Sequence, residues 1–518
     1  MSSKTKKNSP TPATVETSRG EKFPLLAIVL VVIAIGLVLS ATSNYGLMGW
    51  DSFPIIVTSR VQNGSDLVGT FTEELMDGRY FGHYYRPLLN LSFAIDYFLW
   101  GIDPFGYQLT NAVLFGLSGL VLYLFARRMY GTRAWLGPLV TLGFFLLHES
   151  HFEVIPVAAR RPELLCAVFA GLSLYLQLGS KSLGQKWPWV PALWMAAAAL
   201  SKETGYVLPA LSVIAVFLWS PAQGAGERVK QAMRAALTHA AFVGAVLAAR
   251  LAVLGGLGGP GQEPPAGGPS AIELSQTLFG RLFVPQSLGE EGGVTALLPW
   301  ALGACFLLAV WVKRGGQAAE TERGKEDNSG RAAILGLSWL LIVGLLYGVS
   351  RSIEQWYLYL PVAGLALVLG AGAELLLRVA SRGALGRTVA MCGGVIAVSF
   401  CFIQVRYSPL LRNYPEWEQA SVASEKFLAS LQIGIEASSD GSGIGAPPIP
   451  VWYPPATEGP TIRGAAIMEA YSVQAWADLV FPERKITVVK GRAPSPPGSD
   501  ELIVQITRGF RFEVPAGD

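Results

Sequence analysis

Long apolar runs alternate with short charged stretches along most of the chain. The first run covers residues 23–39, and others follow at about 106–126, 134–148, 162–178, 188–200, 204–219, 236–255, 297–312, 332–350, 356–377 and 388–405. A helix of about 20 apolar residues crosses the hydrocarbon core of a bilayer. These runs are near that length or slightly short of it. The pattern predicts an all-α polytopic membrane bundle of about eleven transmembrane helices.

Two exceptions to the alternation shape the rest of the reading. Residues 43–105, after the first run, are too long for a connector. Within them 87–100 (PLLNLSFAIDYFLW) is apolar but broken by Asn90, Ser92 and Asp96, which suits a helix lying at the membrane interface. Residues 256–296 form a second long loop. The stretch 255–269, which leads into it, is rich in Gly and Pro and is read as a candidate mobile lid or a passive spacer. The stretch 271–284 that follows has helical apolar spacing suited to the interface. Beyond 406 the pattern changes to strand-like pieces at 449–453, 485–490 and 502–507 and a helix-like piece at 465–481, after a Gly/Ser/Pro linker at 438–450. A small α/β domain over 407–518 is expected.

Composition agrees with the membrane reading. The 518 residues are 51% hydrophobic and only 15% charged, against about a quarter charged in soluble domains. The mean hydropathy is +0.40. A cytosolic enzyme, a disordered scaffold and a secreted disulfide module are excluded. A net charge of +3 gives no reason to expect a nucleic-acid partner. Cys166, Cys305, Cys392 and Cys401 all lie in apolar runs and read as packing residues.

Residues 1–22 carry Lys4, Lys6, Lys7, Arg19 and Lys22 and read as a disordered cytoplasmic tail before a retained anchor at the start of the 23–406 membrane domain. With the N-terminus inside, the cytoplasmic segments hold 21 Lys and Arg against 8 in the opposite loops. That bias favours N-in. For an odd number of spans it places the 407–518 domain on the exoplasmic face.

On that face three charged clusters border apolar runs. Asp51 lies in the first loop with Tyr85 and Arg86. His148, His151, Glu153, Arg160, Arg161 and Glu163 lie at the mouth of two spans, and Lys202 and Glu203 lie between two more. Ionisable residues at such positions are costly and are kept for function by default. Together they suggest one cavity. Each also has a plainer reading. Asp51 could be a solvated loop acid. His148 and His151 lack a nearby third ligand for a metal, which favours hydrogen bonding. Lys202 and Glu203 are adjacent, so on a helix they do not face each other.

Five ordered motifs carry a family resemblance. YYRPLLNLSFAIDYFLWGIDPFGYQLTN (84–111), HESHFEVIPVAARRPELL (148–165), LSKETGYVLPAL (200–211), WYLYLPVAGLAL (356–367) and RNYPEWEQA (412–420) resemble motifs of GT-C fold glycosyltransferases. The nearest group is the transmembrane O-mannosyltransferases with TPR repeats and their bacterial relatives. The resemblance implies a polyprenyl-phosphate sugar donor and inverting transfer on the exoplasmic face of what is expected to be a bacterial plasma membrane. The acceptor, whether glycan, lipid or protein, stays open.

In that family an acid of the first exoplasmic loop is the base, which corresponds here to Asp51; Glu153 is then the second acid. Such chemistry needs a carboxylate to take the acceptor proton and cations for the departing phosphate. Arg86, Arg161 and Lys202 are the candidates, with Tyr85, His148, His151, Glu163, Glu203 and Tyr357 as further donor- or substrate-binding positions. The chain departs from the family pattern at Ser52, Gln108, Phe115 and Trp356, and TPR periods are absent. With Ser52 in place of a second acid, the sequence does not support a divalent-metal cofactor. A catalytically inactive binding component and a lipid or solute carrier stay open as alternatives.

Overall fold

The computed structural model describes residues 22–80, 82–131, 134–179, 183, 187–259, 270–283, 298–315, 328–350, 354–408, 410, 415–437, 449–453, 461–462, 465–466, 468–490, 502–503, 505–506 and 512–513. Arg351, almost all of the 1–22 tail, the 260–269 part of the Gly/Pro-rich stretch and the linker at 438–448 lie outside the described residues.

Each apolar run of the sequence is helical. In chain order the helices are α1 (Lys22–Thr42), α2 (Ser52–Thr58), α3 (Gly64–Thr72), α4 (Pro87–Trp100), α5 (Pro104–Tyr130), α6 (Leu136–Leu147), α7 (Arg161–Gln177), α8 (Trp189–Ser201), α9 (Pro209–Trp219), α10 (Ala225–Leu254), α11 (Ala271–Phe283), α12 (Leu298–Gly315), α13 (Ser329–Ser350), α14 (Tyr359–Val379), α15 (Gly383–Arg406), α16 (Pro415–Ala437) and α17 (Ala470–Val480). Among the described residues six of these regions are long and apolar enough to cross a bilayer unaided, and four shorter apolar helices accompany them. The protein is an integral-membrane, mostly helical bundle.

Helix ends follow from local chemistry. Asp103 starts α5 by accepting the Phe105 amide at 3.0 Å, just ahead of Pro104, whose missing N–H costs nothing in a first turn. At α3, Asn63 and Asp66 form a reciprocal capping box. Inside the bundle α13 and α14 cross closely. A Cβ added to Gly336 would stand 2.8 Å from the Gly364 carbonyl oxygen. Small residues at such crossings let backbones meet, which is how helices associate where no water drives them together.

Short helices set up the site. At about 1.5 Å per residue, α6 with 12 residues, α8 with 13 and α9 with 11 fall short of the ~30 Å hydrocarbon thickness. Tight 3-10 turns at Glu149–Glu153, Ala158–Arg160 and Glu203–Tyr206 continue the chain at one end of the bundle. These turns carry His151, Glu153, Arg160 and Glu203, and His148, Arg161 and Lys202 adjoin them.

Two elements differ from expectation. The helix expected over 465–481 begins only at Ala470. Glu469 caps its first turn in a box with Ser472, and Ala465–Ala466 pairs instead with Thr461–Ile462 as a short antiparallel ribbon. In α11, Leu274, Leu278 and Leu282 are buried against the protein rather than laid on the membrane interface. The Leu282 carbonyl also bonds His148.

Beyond the bundle, β1 (Ile449–Tyr453) lies between β2 (Ile486–Lys490) and β3 (Leu502–Ile503), parallel to both. α17 crosses between β1 and β2 and buries Val473, Trp476 and Ala477 on the sheet. That core is shared. Phe427, Leu431, Val451, Tyr453 and Trp476 form one apolar cluster with Phe53, Ile56, Met76, Leu89 and Tyr107 from the first loop and its neighbours. The C-terminal unit is therefore packed onto the loop that carries Asp51.

Candidate active site

Asp51 is the residue before α2. Many aspartates in that place accept first-turn amides, but this one makes no such bond. Its Oδ1 instead accepts the Tyr471 hydroxyl at 2.9 Å, across 420 residues of sequence. The turn leading in needs Gly49, which has φ +91° and would place a Cβ 2.7 Å from the Val157 side chain. Burial pushes the Asp51 carboxyl above the ordinary carboxylate range. The Tyr471 hydrogen bond and the charges of Arg86 and Arg160 oppose that rise. Ser52, where the family pattern has a second acid, is fully buried and donates its hydroxyl to the Met48 carbonyl at 2.5 Å.

The cations around Asp51 come from separate elements. Arg86, just before α4, forks onto Glu203 at 3.1 and 2.7 Å and lies 4.3 Å from the Tyr84 ring. Arg250 of α10 reaches the same carboxylate at 3.1 Å. Arg160 pairs with Glu153 at 2.8 Å, with its guanidinium 3.8 Å from the Trp356 ring and 5.8 Å from that of Trp417. These pairs connect all five motif segments. Arg86 joins 84–111 to 200–211, while Arg160 joins 148–165 to 356–367 and 412–420. Lys202 is in contact with Glu163 and lies 4.8 Å from the ring of Tyr357, which stacks on Tyr347 at 5.0 Å.

Other residues named in the sequence stand differently. Arg161 has no exposed surface. It pairs with Asp96 at 2.6 Å and donates to Asn111 at 2.9 Å and Ser92 at 3.2 Å, over the Phe93 ring. Its side chain is enclosed by these protein partners. His148 bonds Ser150 at 2.9 Å and the Leu282 carbonyl at 3.0 Å, and His151 bonds the Phe145 carbonyl at 2.6 Å. Both rings are buried and hold the turn between α6 and α7. Tyr85 is buried too and donates to the Phe71 carbonyl at 2.9 Å. Among the described residues no three His, Cys, Asp or Glu side chains are grouped as a metal ion requires.

The departures from the family pattern have local partners. The Gln108 amide donates to the Pro156 carbonyl at 3.0 Å, and Phe115 packs its ring edge on His151. Trp356 takes the place of an arginine and supports Arg160 from below. Two site residues were not found in the sequence. Arg250 had a signal, a lone charge in an apolar helix. Tyr471 had none, because only the fold brings it to Asp51.

No family model matches the chain. It has local similarity to the protein O-mannosyl-transferase tmtc2 of Xenopus laevis, 30% identical over 137 residues, which covers 25% of this chain and 16% of that protein. TMTC4 of Mus musculus is 33% identical over 153 residues, covering 25% and 20% of the two chains. Tmtc1 of Drosophila melanogaster is 32% identical over 122 residues, covering 23% and 14%. The chain thus aligns with no more than 20% of the length of any of these three. These similarities agree with the resemblance carried by the motifs. Distant structural likenesses extend further along the chain. ArnT from Cupriavidus metallidurans gives a TM-score of 0.46 at 13% identity, over 91% of this chain and 90% of that one. AglB from Archaeoglobus fulgidus, solved with an inhibitory peptide and a dolichol-phosphate, gives 0.46 at 11% identity, over 92% and 65%.

Proposed function

We propose that the chain is a GT-C type glycosyltransferase that moves a sugar from a polyprenyl-phosphate donor to an acceptor hydroxyl, with inversion, on the exoplasmic face of a bacterial plasma membrane. The observation that carries this reading is the Asp51 carboxylate. It is held at one oxygen by Tyr471, under the charges of Arg86 and Arg160, which bring in the motif segments 84–111 and 148–165.

In this scheme the acceptor oxygen attacks the anomeric carbon and Asp51 takes its proton. The bond from that carbon to the donor phosphate oxygen breaks, and its electron pair goes to the phosphate. Arg86, Arg250 and Lys202 supply positive charge for the departing phosphate. Each is paired with Glu203 or Glu163, so donor binding exchanges one anion for another. Arg160 with Glu153 holds the far side, and Tyr357 lines the space beside Lys202. Arg161, His148 and His151 act through the backbone they fix. The N-terminus is placed in the cytoplasm and the 407–518 unit outside.

The similar O-mannosyl-transferases make mannose the first sugar to test and protein hydroxyls the first acceptor, beside lipid and glycan acceptors. Membranes containing the protein, given labelled polyprenyl-phosphate mannose, should pass label to one acceptor class. The pairing of both Arg86 and Arg160 with carboxylates also favours a second reading, an inactive binding component. Binding of donor without transfer of any polyprenyl-phosphate sugar to any of the three acceptor classes would favour that one.

A further inference from the structure

The C-terminal α/β unit reaches into the site through Tyr471. Its placement is fixed by rigid elements. Glu469 and Ser472 form the box that starts α17, and the Tyr453 hydroxyl, from the central strand, donates to the Met468 carbonyl at 2.6 Å. One residue after Tyr471, the Ser472 hydroxyl donates to the Trp50 carbonyl, next to Asp51. The Tyr471 ring rests against Tyr80 of the first loop, with centroids 5.8 Å apart. Below it, Trp476 and Val473 share a core with Phe53 and Ile56 of α2, the helix that Asp51 precedes.

Asp51 has an unused alternative. Asn63 and Asp103, in the same position of their own helices, accept first-turn amides, whereas Asp51 does not. Its carboxylate is turned from the position that would stabilise its own helix and is met there by a hydroxyl from the far end of the chain. A carboxylate so held keeps one oxygen occupied and the other for substrate.

We propose that Tyr471 is a positioning residue of the reaction: its hydroxyl holds Oδ1 of Asp51 so that Oδ2 faces the acceptor, and the C-terminal unit thereby becomes part of the active site. This rests on the glycosyltransferase reading given above. The bond also acts on protonation. A hydroxyl donating to a carboxylate favours the ionised form, which is the form a base needs. The other groups acting on Asp51 are Arg86, Arg160 and the Tyr84 hydroxyl, while Glu469 adds negative charge beside Tyr471. Removal of the Tyr471 hydroxyl leaves all of these in place.

Tyr471→Phe is the test, since it keeps the ring on Tyr80. Two readouts on full-length protein are compared with wild type. The first is the pH profile of kcat/KM for transfer from polyprenyl-phosphate mannose. The second is the pH dependence of carbodiimide labelling at Asp51, read by mass spectrometry, which reports protonation of that carboxyl without any turnover. The expected result is an upward move of both the acid limb and the labelling midpoint by about one pH unit, with a lower kcat, nearly unchanged KM and an unchanged melting temperature. A labelling midpoint that stays in place overturns the inference whatever the activity. So does a shifted midpoint with an unmoved acid limb. Absence of transfer by the wild type refutes the glycosyltransferase reading instead, and the labelling result then still decides whether Tyr471 governs Asp51.

Discussion

The buried pair of Arg161 and Asp96 separates a structural from a substrate-binding arginine. Arg161 has 0% side-chain exposure and Asp96 3%, and they meet at 2.6 Å. Thr110 adds a second donor to Asp96 at 2.7 Å. Asp96→Ala leaves a guanidinium in a dry site with Asn111, Ser92 and the Tyr107 carbonyl as its neutral acceptors among the described residues. Breaking such a pair from one side costs about 3–5 kcal/mol, and these remaining acceptors set the expectation near the lower end. Replacing both partners with apolar residues of similar size, Asp96→Leu with Arg161→Met, removes the stranded charge and should recover most of the loss. The measurement is thermal unfolding of detergent-solubilised protein, followed by tryptophan fluorescence, for wild type, single and double variants. A single variant that melts with wild type would refute the structural assignment. So would a double variant that is stable yet unable to bind donor, because that is the behaviour of a phosphate ligand.

Arg86→Lys removes the fork onto Glu203 and should lower transfer about 10–100-fold with a raised KM for donor, as checked by steady-state kinetics. Gly49→Ala asks an ordinary residue to take φ +91° against Val157; a loss of about 1–3 kcal/mol in unfolding and a fall in transfer through displaced Asp51 are expected. A reporter enzyme fused after Asp518 should be active only outside the cytoplasm, and one inserted between α12 and α13 only inside. The reverse pattern would put the whole site on the wrong face.

Much of the fold was legible because apolar runs of spanning length have few alternatives to a helix. α4 is a clear case: the run 87–100 was bounded by Pro87 at one end and Gly101 at the other, and its bounds were found. The 465–481 piece was not, since its apolar pattern carries no mark of a start at Ala470, which the capping by Glu469 sets. The site was legible as clusters but not as pairs. His148, Glu153, Arg161 and Lys202 stood out because charges beside apolar runs are costly. Which of them would be spent on protein partners depends on the packing of distant helices. Asp96 read as an interruption of an interfacial helix, and its partner Arg161 lies on another helix altogether. Tyr471 lay in a region whose pattern gave a fold class and nothing more.

The central claim is that Asp51 acts as the base in sugar transfer, and its most direct test is the turnover of Asp51→Asn. The substitution keeps the shape and the Tyr471 contact but removes the group that takes the proton. The account predicts a variant that folds and melts as wild type, still binds the polyprenyl-phosphate sugar, and transfers it about 10²–10⁴-fold more slowly. Turnover near the wild-type rate would contradict it.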